Sequence, residues 1–419
     1  MPLDELIVCL GAERIGTIVR SRADRRSVVF TWDSAARNES IRLSEGFAAV
    51  PGLAPDQRLV SRFFGGYLPE GSQRLAMAEQ RGIRQDDLFG FLREYGGSLA
   101  GALSFRQRDE QPTYAELSPS ALNRALKEAI GKRNQGTRDD SRSMIPGFQP
   151  KVLVARFGSG GWMLPHGSAH STHILKPARP NEESRILDEH FAHELARSAG
   201  LSSYGSEIRK AGSTRYLAIE RYDREVQGDQ VVALHQEDAA QAMALDWVDD
   251  TAKFQDPGHP RNPQRASAYR VAEVVAGLDE EPLTAWLRQL TFRVAIGDND
   301  GHAKNVGIIH RQGTDDVSDL YDAVPNLFQA GRVDWTLAFA VDGQFDHRKL
   351  TAEHLIREAR SWGMRERDAE STVRQTLAAV ADGLAHVSPH PDATPRVAEA
   401  VGHYVARLRE GSMIGQFTR

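Results

Sequence analysis

The sequence predicts an α+β fold in three parts, and three observations carry that expectation. Short runs rich in Val and Ile open the chain, the order β-β-α-β-β follows in its second part, and helical periodicity dominates after about residue 225. The expected boundaries are 1–110 for a β-rich N-terminal subdomain, 111–224 for a sheet-plus-helix lobe, and 225–419 for an all-helical C-terminal lobe.

Taken in order, "ELIVCL", "RIGTIVR" and "SVVFTW" read as strands separated by polar turns. "FFGGYLPEGSQR" reads as a Gly/Pro loop leading into the helix "SQRLAMAEQRG", and "GGSLAGALSF" as a strand. The polar stretch "RQRDEQPTYAEL" marks the first boundary. "SPSALNRALKEAIG" has Ser and Pro placed to start a helix, and "GKRNQGTRDDSRS" is a charged connector. "PKVLVARF", "THILKP", "GSEIRKAG" and "RYLAIERYD" are strand candidates. Between the second and third, Leu187, Phe191 and Leu195 recur at i, i+4 and i+8, which describes an amphipathic helix closed by Gly200. Six further segments, from "EDAAQAMALDW" to "PRVAEAVGHYVARLREG", are helical by composition and period, and "KFQDPGHPRNPQRAS" is a Pro-rich loop.

At 419 residues, 40% hydrophobic and 26% charged, the chain has material for a sizeable core without staples. Its net charge of −5 disfavours nonspecific nucleic-acid binding by the chain alone. A single cysteine, Cys9, excludes an internal disulfide and Cys-rich zinc sites. The acidic start lacks a basic region followed by an apolar run, and no apolar stretch reaches 18 residues, so a cytoplasmic protein with no membrane partner is expected.

The chemistry concentrates in "IGDNDGHAKNVGIIH", residues 296–310. Asp298, Asn299, Asp300, His302, Lys304 and Asn305 crowd one gap between a helix ending near Gly297 and a short strand. A turn calls for Gly and Asn or Asp, but not for a carboxylate, imidazole, ammonium and carboxamide together. Asp322, in "DLYDAVPN", returns beside this loop if a hairpin intervenes. An Asn and an Asp converging from two segments make a hard oxygen site for Mg²⁺. A further Asp, such as Asp300, can take the proton of an attacking hydroxyl. The alternative is a plain polar hairpin loop.

Phosphoryl transfer also needs a cation for the nucleotide phosphates. Lys176 closes the strand "THILKP", where a lysine is commonly solvent-exposed. Glu189, on the next helix, can pair with it, although a helical wheel sets it roughly 200° around from Leu187. There is no Walker P-loop and no GxGxxG. "SMIPGFQPK" offers a tight turn at Gly147 and a charge at Lys151 as a phosphate cradle. "HFAHELAR" has Arg197 where a zincin needs its second His, so His190 and His193 read as surface residues.

In chain order, "GFQPKVLV", "THILKP", "AIERYDR", "LHQEDAAQ", "DGHAKN" and "YDAVPN" resemble the blocks of the HipA family, bacterial serine/threonine kinases that are toxins of type II toxin–antitoxin systems. The resemblance covers nearly the whole chain. It implies a two-lobed protein-kinase-like fold with ATP and Mg²⁺ between the lobes. By that resemblance Asp300 is the catalytic base, and Asn305 and Asp322 are metal ligands. Lys176 holds the α/β-phosphates, and Gly147 and Lys151 cover them. Glu220, Arg221 and Tyr222 form the adenine-binding hinge, Gln236 lines the pocket and His302 lies near the phosphates. Some members autophosphorylate a Ser in the Gly-rich loop, where this chain places Met144, so Ser143, or Ser141 further back, is the candidate instead. The family implies a helix-turn-helix antitoxin partner (HipB-like), DNA reached through it, and a translation component such as an aminoacyl-tRNA synthetase as protein substrate. Two other readings stand beside this one: a catalytically idle co-repressor of an antitoxin, and a small-molecule phosphotransferase on a kinase-like scaffold.

Overall fold

The computed structural model describes residues 5–33, 43–46, 55–107, 112–132, 135, 142–311, 313–328 and 334–417. Ser141 and most of the charged connector before it lie outside the described residues.

The first sheet follows from alternation. In β3 (Val28–Trp32) every second side chain is buried, and β1 (Glu5–Leu10) and β2 (Glu13–Arg20) turn tightly at Gly11. Helices α1 (Gln57–Gly65), α2 (Gly71–Arg81) and α3 (Leu88–Tyr95) precede β4 (Leu103–Arg106), and the sheet order is β3-β2-β1-β4. Asp56 caps α1 by accepting from the Arg58 and Leu59 amides, and this turns Val60, Phe63 and Phe64 into the core. Helix α1 was not evident in the sequence because it abuts the Gly/Pro loop. The "GGSLAGALSF" strand shrinks to its last residues, since its glycines break the ladder.

The second part contains β5 (Thr113–Glu116), α4 (Pro119–Lys132), β6 (Val152–Val154), β7 (Met163–His166), β8 (His173–Pro177), α5 (Glu183–Ser198), β9 (Ser206–Ala211) and β10 (Thr214–Glu220). An antiparallel sheet runs β6-β8-β10-β9, while β5 pairs with β7. Leu122 and Leu126 of α4 cover one face together with Val152 and Leu175. Helix α5 packs on the other face.

The remainder holds β11 (Arg224–Gln227), β12 (Gln230–Ala233), β13 (His235–Asp238), α6 (Ala239–Ala242), α7 (Ala268–Val275), α8 (Pro282–Ile296), β14 (Gly307–Arg311), β15 (Thr314–Val317), β16 (Thr336–Val341), β17 (Gln344–Asp346), α9 (Ala352–Ser361), α10 (Glu366–Leu384) and α11 (Val397–Arg409). Helices dominate, as the periodicity predicts. The region is not all-helical, however: it carries the hairpins β11–β12 and β16–β17 and the sheet β13-β14-β15, of which the sequence showed only β14, because "HQED" and "TDDV" are polar and do not alternate.

One hydrophobic core joins α5 to α8, α10 and α11, so the sheet lobe and the helical region share their interior. The N-terminal sheet has its own core, and Met144, from just before the Gly147 turn, is buried in it. Among the described residues no helix is long and apolar enough to cross a membrane.

Candidate active site

Helix α8 ends as expected, with Gly297 in the left-handed region at φ +74°. The polar loop then runs into a short 3₁₀ turn, Ala303–Asn305, and on into β14. Arg293, on the last turn of α8 and 2% exposed, organises it. Its guanidinium pairs with Asp298 Oδ2 at 2.5 Å and donates to the carbonyls of Asn305 and Tyr321, each at 2.8 Å. One buried cation thus ties the polar loop to the segment carrying Asp322. Asp298 Oδ1 accepts from the Asp300 amide at 3.0 Å, so Asp298 serves as scaffold.

Asp300 is fixed by its backbone while its side chain stands about half exposed. Burial by the surrounding walls, then the nearby Asp298 and Asp322 carboxylates, push its carboxyl up to about 7, against the pull of Lys253. A carboxylate tuned there is poised to take a proton near neutral pH. His302 is buried and lies 4.0 Å from Asp300 Oδ1. Desolvation pushes its ring down to about 3, so it is neutral, and its Nδ1 is buried without a hydrogen-bond partner. Asn305 Nδ2 donates to the Asp300 carbonyl at 3.0 Å, which leaves Oδ1 as the atom to meet a cation.

Lys176 is buried rather than exposed. Its Nζ bonds Glu189 Oε1 at 2.5 Å and Asp322 Oδ1 at 2.6 Å. The helical wheel misdirects on Glu189 because α5 is covered on more than one side. Ile186, Leu187, Asp188 and Glu189 are all buried, with Asp188 accepting from Thr394 at 2.9 Å and 2.6 Å. His193, expected at the surface, is largely buried against Tyr204 and bonded to Ser202 and Ser206, for the same reason. Burial opposes the charge on Asp322, but Lys176 outweighs it and holds the carboxyl well below its usual range. The Asp322 backbone has φ +52°, a conformation disfavoured for non-glycine residues.

Gly147 has φ +114°, and a Cβ there would stand 2.7 Å from Lys151 Nζ. Lys151 is buried and donates to the Pro146 carbonyl at 2.6 Å; desolvation, then Lys176, pull its ammonium down to about 8. Ser143 is 2% exposed and bridges to Ser98 of the N-terminal part. Phosphorylation at Ser143 therefore needs this segment to detach first.

At the opposite end the walls are aromatic and aliphatic. Tyr222 stacks on Tyr321 at 5.4 Å between ring centroids, its hydroxyl bonds Gln236 Oε1, and Ile174 and Ile219 lie alongside. Glu220 Oε2 accepts from the Gly205 amide at 2.7 Å. The Arg221 guanidinium is committed elsewhere: it grips Asp223 at 2.9 and 2.7 Å and reaches Ser171 and the Leu99 carbonyl. It offers no side-chain charge to a nucleotide.

All the nucleotide, metal and catalytic candidates from the sequence border one cleft with a cavity volume of about 220 Å³. Sequence reasoning missed three residues there, Glu70, Lys253 and Tyr321, and the buried Arg293 that organises the loop from behind. Arg293 left a faint trace, as a charge set among the apolar residues of the last turn of α8. Glu70 and Lys253 left none, because each sits in a loop distant in sequence from the cleft's other residues.

Residues 143–384 match the HipA-like C-terminal domain and residues 6–106 the HipA N-terminal domain. The chain is similar to Y4mE of Sinorhizobium fredii, a protein that carries the name of a kinase, at 32% identity over 63% of this chain. That alignment spans 64% of the relative's own length. It is also similar to the serine/threonine-protein kinase toxin HipA of Shewanella oneidensis, at 23% identity over 74% of each chain. The fold matches a Shewanella oneidensis HipA solved with HipB and operator DNA, with a TM-score of 0.79, 20% identity, and 97% of this chain and 96% of that one covered.

Proposed function

The chain belongs to the HipA family of serine/threonine kinases, and we propose that it transfers the γ-phosphoryl group of ATP to a protein hydroxyl with Asp300 as base. The observation that carries this reading is the convergence, at one cleft, of the accessible Asp300 carboxyl, a buried Lys–Glu pair, and the oxygens of Asn305 and Asp322.

Asp300 accepts the proton of a Ser or Thr hydroxyl. The hydroxyl oxygen forms its bond to the γ-phosphorus as the bond to the bridging oxygen breaks, and that electron pair leaves on ADP. Lys176, aimed by Glu189, faces the α/β-phosphates, and Gly147 with Lys151 covers them. Tyr222, Tyr321 and Gln236 form the adenine end. Asn305 Oδ1 and the Asp322 carboxylate suit Mg²⁺, being hard oxygen donors from two segments that Arg293 ties together. The ion, when bound, neutralises charge on the phosphate oxygens.

A helix-turn-helix antitoxin is the proposed partner, with DNA reached through it. The acidic balance of the chain supports this, as it suits poorly a protein binding DNA unaided. The proposed substrate is a translation component such as an aminoacyl-tRNA synthetase. The test is γ-labelled ATP in a bacterial lysate, with mass spectrometry of the labelled band. The wild-type chain should label a protein there and arrest growth when expressed, while Asp300→Ala should do neither and stay folded. Equal labelling by both refutes the base assignment.

A further inference from the structure

Glu70 opens α2, in the N-terminal part of the chain, yet its carboxylate is buried in the wall of the cleft, 5% exposed. Two ammonium groups flank it, Lys253 Nζ at 3.0 Å and Lys304 Nζ at 4.0 Å. Burial opposes its charge, but the two lysines prevail and hold Glu70 ionised. Lys304 has a structural role, since it donates to the Gly66 carbonyl at 2.9 Å and so staples the catalytic loop to the end of α1.

Lys253 is placed differently. It is 4% exposed and also borders the cleft. Its carbonyl accepts from the Ala303 amide at 3.2 Å, which fixes its stem to the catalytic loop. Its Nζ sits 4.5 Å from the ring centre of Phe148, the neighbour of Gly147 in the phosphate cover. Among the described residues, Glu70 is the one carboxylate it pairs with. An ammonium carries three donors and a carboxylate oxygen occupies one, while the ring face adds attraction without accepting a conventional hydrogen bond. Lys253 is therefore a desolvated cation with donor capacity left over, enclosed between the phosphate cover and the loop bearing Asp300. In phosphoryl transfer, negative charge spreads over the oxygens of the migrating group. A fixed cation in a site that excludes water stabilises such charge far better than one at a wet surface.

We propose that Lys253 contacts the phosphoryl group in transfer, and that Glu70 is the positioning residue by which the N-terminal part of the chain aims it. This rests on the kinase reading above and extends it: the N-terminal sheet and its helices contribute to catalysis as well as to the fold.

The test measures label incorporation from γ-labelled ATP into lysate proteins, over the lysate alone, together with thermal unfolding of each full-length variant. Lys253→Met should lower the rate at saturating ATP by at least 100-fold, with the KM for ATP within about threefold of wild type. Lys253→Arg should recover at least tenfold of that loss. An ion pair serving only to dock the two parts predicts the reverse, with earlier unfolding and weaker ATP binding but an undiminished rate at saturation. If Lys253→Met unfolds early, Glu70→Gln decides: a rate loss of about tenfold at the wild-type unfolding temperature supports the assignment, and a wild-type rate overturns it. Transfer by Lys253→Met within threefold of wild type overturns this assignment alone. No transfer by the wild-type chain overturns the kinase reading, and this assignment with it.

Discussion

Two buried charge clusters have mirrored stoichiometry. In the cleft one cation, Lys176, lies between two carboxylates, Glu189 and Asp322. Behind the hinge one carboxylate, Asp223, lies between two guanidinium groups, Arg221 and Arg224. Their surroundings differ. All three side chains of the second cluster are at most 3% exposed. Most of its surplus donors are met, by the Leu99 carbonyl at 3.0 and 2.5 Å and by Ser171, with Arg224 Nε the buried exception, while Asp223 also accepts from the Gly101 amide at 2.8 Å. The cleft cluster leaves Asp322 41% exposed and carries a surplus negative charge. A buried cluster whose charges are enclosed and largely matched locks two segments together. One that faces a cavity with charge left over is built to receive a cation.

Substituting one acid in each cluster, the exposed Asp322 or the enclosed Asp223, separates the two roles. Asp322→Asn should lower phosphoryl transfer by about a thousandfold or more, about 4 kcal/mol at ~1.4 kcal/mol per tenfold. Its stability should stay within about 1 kcal/mol, since the residue is partly solvated. Asp223→Asn should do the opposite. Two guanidinium groups lose their buried counter-charge, so denaturant unfolding should show a loss of about 3–5 kcal/mol. Activity per folded molecule should remain within about threefold. If Asp223→Asn is as stable as wild type, the two clusters do not differ as described.

A pH profile sharpens the contrast further. Asp300 is held up to about 7, so below that pH it carries a proton and cannot accept another. The rate at saturating ATP should be half-maximal near pH 7 and fall about tenfold per unit below it. A flat profile down to pH 5 shows instead that the Asp300 carboxyl is not held near 7 in the reacting complex. The smallest effect is expected at Gly147→Ala, where the new methyl meets Lys151 Nζ and a backbone at φ +114°. Calorimetry should show ATP affinity reduced by about three- to tenfold, because Lys151 can swing aside.

Much of the polar loop at 298–305 was legible because its information is local. Gly297 stops a helix, the loop residues are adjacent in sequence, and a two-strand hairpin returns Asp322. The same holds for the order of the four strands around Lys176. What was hidden depends on packing from elsewhere. Glu189 points inward because α5 is enclosed by parts of the chain that no wheel of that helix contains. Arg221 looked like a hinge residue, yet its side chain joins a cluster reaching back to Leu99. Lys253 looked like part of a Pro-rich loop, and only its pairing with Glu70, 183 positions away, sets it in the cleft.

The root of the phosphate cover has a practical consequence. Met144 is buried in the core of the N-terminal sheet, three residues before Gly147, and the Ser98–Ser143 bridge sits beside it. A crank that short, bolted to another module, transmits displacement rather than absorbing it. Any shift of that module is therefore carried directly to the turn at Gly147 and to the Lys151 ammonium that leans on it.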